Sequence, residues 1–162
     1  MAIIVEGIDN SGKSTLATSI ADALQLDVVE GEGPPKSVDE INSRVARYAE
    51  LRRVVFVRHP CVSNPIYDQA RPLRTRCIIE PHHYANFYTA GHLFIYCDPL
   101  NRALDGHVVK DERDTPEHLR QVEDHYCSLL GLYRQWAIER AHVLYRIGDS
   151  VERVLKICSI VG

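Results

Sequence analysis

The sequence predicts an α/β fold of three layers built on a five-stranded parallel sheet. Two observations carry that expectation. Short β-branched, apolar runs recur five times along the 162 residues, at 2–6, 27–30, 54–58, 93–97 and 143–146. Their apolarity is continuous rather than alternating, as in strands buried on both faces. Between them the apolar spacing changes to three and four, so strands alternate with helices.

After the strand at 2–6, Leu16, Ile20 and Leu24 mark a first helix, and the strand at 27–30 follows. Val38, Ile41, Val45 and Tyr48 mark a second helix, opened by Ser37-Val38-Asp39-Glu40, a capping-box pattern. The strands at 54–58 and 93–97 come next. The longest helix is expected from about residue 115 to 142, with Pro116 in its first turn. Its apolar face is Leu119, Val122, Tyr126, Leu129, Tyr133 and Trp136, which reads as core packing. The strand at 143–146 precedes a last helix that starts near Ser150 and buries Val151, Val154, Leu155 and Cys158. No repeat or long linker interrupts the series, so 1–162 reads as a single domain.

Composition excludes several classes. Apolar residues are 45% and charged residues 25% of the chain, the balance of a globular protein rather than a disordered one or a coiled coil. No run approaches the roughly 18 apolar residues of a membrane helix, so no membrane partner is expected. The start lacks the basic and small-residue signals of an export segment. Five cysteines without CxxC spacing fit reduced thiols, and the expected location is the cytoplasm. A net charge of −3 gives no global case for nucleic acid. Locally, eight arginines lie between 44 and 76 against Glu50 and Asp68.

Gly7-Ile8-Asp9-Asn10-Ser11-Gly12-Lys13-Ser14 fits GxxxxGK[ST], and Thr15 follows. A buried strand precedes it and an amphipathic helix follows, the context that a phosphate-binding loop requires. The glycines let successive N–H groups turn inward onto a polyphosphate, and the helix N-terminus adds partial positive charge. Residues 7 and 9–15 are therefore the candidate nucleotide-binding set. Lys13 would reach the β- and γ-phosphates, and the Ser14 hydroxyl would be a Mg²⁺ ligand. ATP and Mg²⁺ are the expected cofactors. A binding module in which nucleotide occupancy controls a partner is the non-enzymatic alternative.

Val5-Glu6-Gly7-Ile8-Asp9 running into Ser11-Gly12-Lys13-Ser14-Thr15 resembles the start of thymidylate kinases. Arg58-His59-Pro60-Cys61-Val62-Ser63-Asn64-Pro65-Ile66-Tyr67 is similar to that family's DRxxxS…Y segment, and Asp98-Pro99 and Arg113 also fit. The resemblance implies a P-loop nucleotide-kinase-like domain with strand order 2-3-1-4-5, a short lid at about 105–114, and an acceptor at the C-terminal edge of the sheet. It makes Arg58, Ser63 and Tyr67 substrate-binding candidates. Lys13, Arg58 and the lid residue Arg113 (or Lys110) become catalytic ones. The family often dimerises, so a homodimer is among the implied partners. Three departures are plain. Val57 stands before Arg58 where the family has aspartate, the lid region is short, and the turn after strand 2 lacks the family's arginine.

That turn reads Glu30-Gly31-Glu32-Gly33-Pro34-Pro35. A monophosphate acceptor mainly needs cations, whereas a hydroxyl acceptor needs a carboxylate to take its proton. Two carboxylates without the arginine favour a hydroxyl, with Glu30 and Glu32 competing as the base. A small phage-encoded branch of thymidylate-kinase-like proteins shares these features. It includes kinases of 5-hydroxymethyluracil in DNA, an implied step of thymine hypermodification on a flipped-out base. A pyrimidine deoxynucleotide, within DNA in that case, is thus the implied acceptor. The arginines at 44–76 would contact the DNA backbone and Tyr67, Tyr84, Phe87 and Tyr88 would stack on the base. A free dTMP or deoxynucleoside monophosphate kinase and a deoxynucleoside kinase are the alternatives. His82 and His83 are expected to point apart, so no zinc site is expected there.

Overall fold

The computed structural model describes residues 1–69, 71–73, 76–99 and 116–161. Its elements run β1 (Ile3–Glu6), α1 (Lys13–Leu24), β2 (Asp27–Glu30), α2 (Val38–Ala49), β3 (Val54–Val57), α3 (Pro60–Tyr67), α4 (Pro81–Thr89), β4 (Leu93–Asp98), α5 (Pro116–Arg140), β5 (Val143–Arg146) and α6 (Val151–Val161). The strands form one parallel sheet in the order β2-β3-β1-β4-β5, as expected. All loops that follow strands therefore open on one edge, with β1 at the centre.

The apolar runs are explained by two separate cores. On one face Ile3, Val5, Val55, Val57 and Ile95 pack against Leu16 and Ile20 of α1 and Val154 and Cys158 of α6. On the other, Ile4, Phe56, Phe94 and Tyr96 meet Ile41, Val45 and Tyr48 of α2, Ile66 of α3, Phe87 of α4 and Leu129 and Tyr133 of α5. Every residue of β1, β3 and β4 is buried. The two edge strands differ from the expectation: Val28 of β2 is 37% exposed and Leu144 of β5 is 47% exposed. Each has a neighbouring strand on one side only, so short β-branched runs do not there mean two-sided burial.

Boundaries shift by a residue or two. β3 stops at Val57 because Arg58 turns into the left-handed region at φ 64°. β4 continues to Asp98, which pairs in register with Arg146. Ser37 caps α2 as its capping box predicts, accepting from the Glu40 amide at 3.1 Å. Helices α3 and α4 stand where the sequence offered motifs without clear periodicity. Both open on proline, and α3 also carries Pro65 internally. At about 1.5 Å per residue, the 25 residues of α5 span roughly twice the length of β4.

Candidate active site

The phosphate loop is shaped by what cannot fit. A Cβ on Gly7 would lie 2.4 Å from the carbonyl oxygen of Cys97 in β4, at φ 147°. Only glycine lets the chain leave β1 so close to its neighbour. Asn10 and Gly12 also adopt positive φ, at 59° and 81°. Gly12 is the N-cap of α1 and supplies no side-chain acceptor, and the first turn holds no acidic residue. Leu16 is the first residue to bond back, its amide reaching the Gly12 carbonyl at 3.0 Å. The amides of Lys13, Ser14 and Thr15 thus begin the helix without intrahelical partners, as an anion site requires.

Lys13 is buried, and its Nζ donates to the Ile8 carbonyl at 2.6 Å and to Ser11 Oγ at 3.3 Å. Burial, followed by the Arg58 charge, brings its pKa down to about 8. A polyphosphate would replace the loop oxygens as partner and restore the full cation. Ser14 is exposed on the first turn of α1, placed for a phosphate-bound metal. Orphan amides, a loop lysine and an accessible hydroxyl fit a Mg²⁺-nucleoside triphosphate. Ile147, after β5, comes within 3.0 Å of a Cβ built on Gly12, with Tyr145 beside it. No motif in the sequence pointed to these two.

Beside the loop, residues 9, 58 and 67 meet. The Asp9 carboxylate accepts from the Arg58 guanidinium and from the Tyr67 hydroxyl, the latter at 2.9 Å. Arg58 also lies over the Tyr67 ring, 5.4 Å from its centroid. Burial works to raise the Asp9 carboxyl, but Arg58 and Lys13 outweigh it and hold Asp9 well below the usual carboxylate range. Asp9 is therefore a fixed anion. The left-handed turn at Arg58 is what brings its side chain back to the edge of β1. Ser63 donates to the His59 carbonyl at 3.1 Å, a local bond of α3.

Glu6, directly before Gly7, is fully buried on the α3–α5 side. One carboxyl oxygen accepts from the His59 amide at 2.6 Å, and the other has no hydrogen-bond partner among the described residues. Burial raises its pKa to about 8, against the opposing pull of that amide, Arg58 and Lys13. Tyr133 of α5, also fully buried, adds a hydroxyl to this group and was read only as core.

The structure separates the two carboxylates of the acidic turn. Glu32 accepts from Arg47 and from the Tyr48 hydroxyl at 2.9 Å, and Arg44 Nε lies 3.7 Å away. Burial opposes the shift, but the hydrogen bonds of Tyr48 and Arg47 lower the Glu32 pKa. Arg44 is itself buried and donates to the Gly33 carbonyl at 2.7 Å and to Glu40. Three side chains of α2 thus grip the turn. Glu30, half-buried, stands in register with Val57, whose side chain belongs to the core on the α1 face. It makes no side-chain hydrogen bond or ion pair among the described residues.

The arginines at 44–76 do not form one basic surface. Arg44, Arg47, Arg58 and Arg71 are paired with carboxylates. Arg52 and Arg53 are exposed but precede β3, on the edge of the sheet opposite the phosphate loop. Arg76 is exposed, and Arg74 lies outside the described residues. Of the four expected stacking residues, Tyr84 and Tyr88 are half-buried and the other two are buried. Phe87 is core, stacked on His59 at 4.2 Å, and Tyr67 is 7% exposed. Arg113, Lys110 and the lid at 105–114 lie outside the described residues. Asp98 is gripped by Arg134 of α5 through bonds of 3.2 and 3.0 Å.

No family model and no curated protein matches the chain. Solved structures do. YorR from Bacillus subtilis, in complex with phosphorylated GDP, aligns with a TM-score of 0.72 at 19% identity, covering 99% of this chain and 95% of that one. The deoxyadenosine kinase of M. mycoides with bound dATP gives 0.62 at 14% identity, over 99% and 98%. Shikimate kinase from Aquifex aeolicus gives 0.55 at 16%, over 99% and 95%. The fold is that of the P-loop kinases. Residues 7–15 stand in the loop after the central strand β1 and at the start of α1. No described helix is long and apolar enough to cross a membrane.

Proposed function

We propose that this chain is an ATP- and Mg²⁺-dependent phosphotransferase whose acceptor is a hydroxyl of a pyrimidine deoxynucleotide, with Glu30 as the base. The supporting observation is the distribution of charge at the sheet edge. Beside the phosphate loop Arg58 is already held by Asp9, and at the acidic turn Arg44 and Arg47 are held by Glu40 and Glu32. A dianionic monophosphate would want several uncommitted cations there. A hydroxyl wants a carboxylate without a competing partner, and Glu30 is one.

In the transfer, Glu30 takes the hydroxyl proton while the acceptor oxygen bonds to the γ-phosphorus. The bond from the γ-phosphorus to the bridging oxygen breaks and ADP leaves. Lys13 and the amides of residues 13–15 hold the charge that develops on the phosphoryl oxygens. The Ser14 hydroxyl would hold Mg²⁺, which would supply charge neutralisation at the phosphates. Arg58 orients the acceptor side of the cleft, and Arg113 is retained as the lid cation.

The specific acceptor we infer from the resemblance is the hydroxymethyl group of 5-hydroxymethyluracil in DNA. The paired arginines give no support to a backbone grip by residues 44–76, so recognition would rest on the flipped base. A competition tests the reading. The protein is incubated with γ-labelled ATP and Mg²⁺ in equimolar dTMP, thymidine and a duplex carrying 5-hydroxymethyluracil. Label in the duplex, absent from a plain-thymine duplex, is the expected result. Label in thymidine would keep the hydroxyl chemistry and move the acceptor. Label in dTDP would overturn the hydroxyl reading.

A further inference from the structure

We propose that Glu80, His82 and His83 form a binding site for a divalent transition cation of the zinc class at the start of α4. The sequence suggests otherwise, since adjacent histidines on a helix are expected to diverge. In the structure their rings are 4.1 Å apart between centroids, tilted by 38°. Glu80 closes the group, with a carboxylate oxygen 3.2 Å from His82 Nδ1. The three residues offer ligand atoms that all lie within 4.8 Å of one another.

The placement is held from behind. Pro81 stands between the carboxylate and the imidazoles, in the first turn of α4, and fixes one backbone angle of the segment. The backbone amide of Glu80 donates to Asn42 Oδ1 at 2.8 Å. The amide nitrogen of Asn42 in turn donates to the Ile78 carbonyl at 3.1 Å and the Val38 carbonyl at 2.8 Å. A buried residue of α2 thus pins the strand of chain that carries Glu80. On the outside, Glu80 is 58% and His82 59% exposed on their side chains, leaving room for water to complete a coordination shell.

Two imidazole nitrogens and one carboxylate oxygen are a donor set for zinc, nickel or copper rather than for magnesium or calcium. The site is distinct from the phosphate loop, whose cation is oxygen-bound. A bound ion would tie the first turn of α4 to the segment before it, stabilising the folded chain by mass action.

Zinc chloride is titrated calorimetrically into the full-length, tag-free protein, and melting is followed in parallel. The comparison variants are His82→Ala/His83→Ala, Glu80→Gln and Cys127→Ser, the last because Cys127 is the exposed thiol. We expect one equivalent of zinc per chain and a melting temperature raised by about 2–5 °C. The double histidine variant should lose that equivalent, and Glu80→Gln should bind at least about tenfold more weakly. Cys127→Ser should bind as wild type, and excess Mg²⁺ should not compete. Equal melting temperatures without zinc confirm that the variants fold. Binding unchanged in the double variant, loss of binding in Cys127→Ser, or no binding by the wild type would each overturn the proposal.

Discussion

The loops after β1 and after β2 open on the same edge of one sheet, yet they are held in shape by different means. The phosphate loop is fixed by backbone: a glycine pressed against the Cys97 carbonyl, two further positive-φ residues, and a buried lysine bonded to the loop's own oxygens. The acidic turn is fixed by side chains from a helix, with Arg44, Arg47 and Tyr48 of α2 holding Glu32 and Gly33. A loop shaped by backbone writes itself into the sequence as a motif. A turn shaped by side chains from another element leaves no local pattern.

The largest effect should come from the backbone-shaped loop. On the proposed function, Lys13→Ala removes the cation that would meet the transferring phosphoryl group, and transfer should fall by about 10³-fold in a steady-state assay. A binding module would instead lose only nucleotide affinity. The buried carboxyl behind the loop should appear in the pH dependence of stability. The folded Glu6 carboxyl titrates near 8 against an ordinary 4.5, so the folded state keeps an extra proton between those values. Its stabilising contribution is whole below about 4.5 and is lost as pH rises towards 8. The slope is at most about 1.4 kcal/mol per pH unit, and Glu6→Gln should flatten it in denaturant titrations.

In the side-chain-shaped turn the effects should be smaller and structural. Arg44→Ala leaves Gly33 and Glu40 without their shared donor and Glu32 without a nearby cation, and chemical denaturation should show a loss of about 1–3 kcal/mol. Glu32→Gln weakens a pair that is 43% exposed at the glutamate, so about 0.5–1 kcal/mol is expected. If Glu32→Gln instead abolished transfer at unchanged stability, the roles of the two glutamates would be reversed.

Legibility in the sequence followed the same division. The alternation of strands and helices, the phosphate loop and the packing role of Tyr133 and Trp136 were readable because each rests on local pattern or spacing, whereas the strand order was implied by the family resemblance. The exposure of β2 and the one-sided burial of β5 were not readable, since an edge position is a property of the whole sheet. The Asp9–Arg58–Tyr67 group joins residues 49 and 58 positions away from Asp9, and its geometry depends on a left-handed arginine that no composition rule marks. The run of arginines misled for a related reason. A linear count sees eight positive charges, whereas the fold supplies Asp9, Glu32 and Glu40 from outside the run and sends Arg52 and Arg53 to the far edge.

The most direct test of the account compares Glu30→Gln with wild type in single turnover, alongside ATP binding measured by calorimetry. Glu30 as base predicts unchanged ATP affinity and a transfer rate at least about 100-fold lower on the acceptor found in the competition. A rate within about twofold of wild type, at equal ATP affinity, would contradict it.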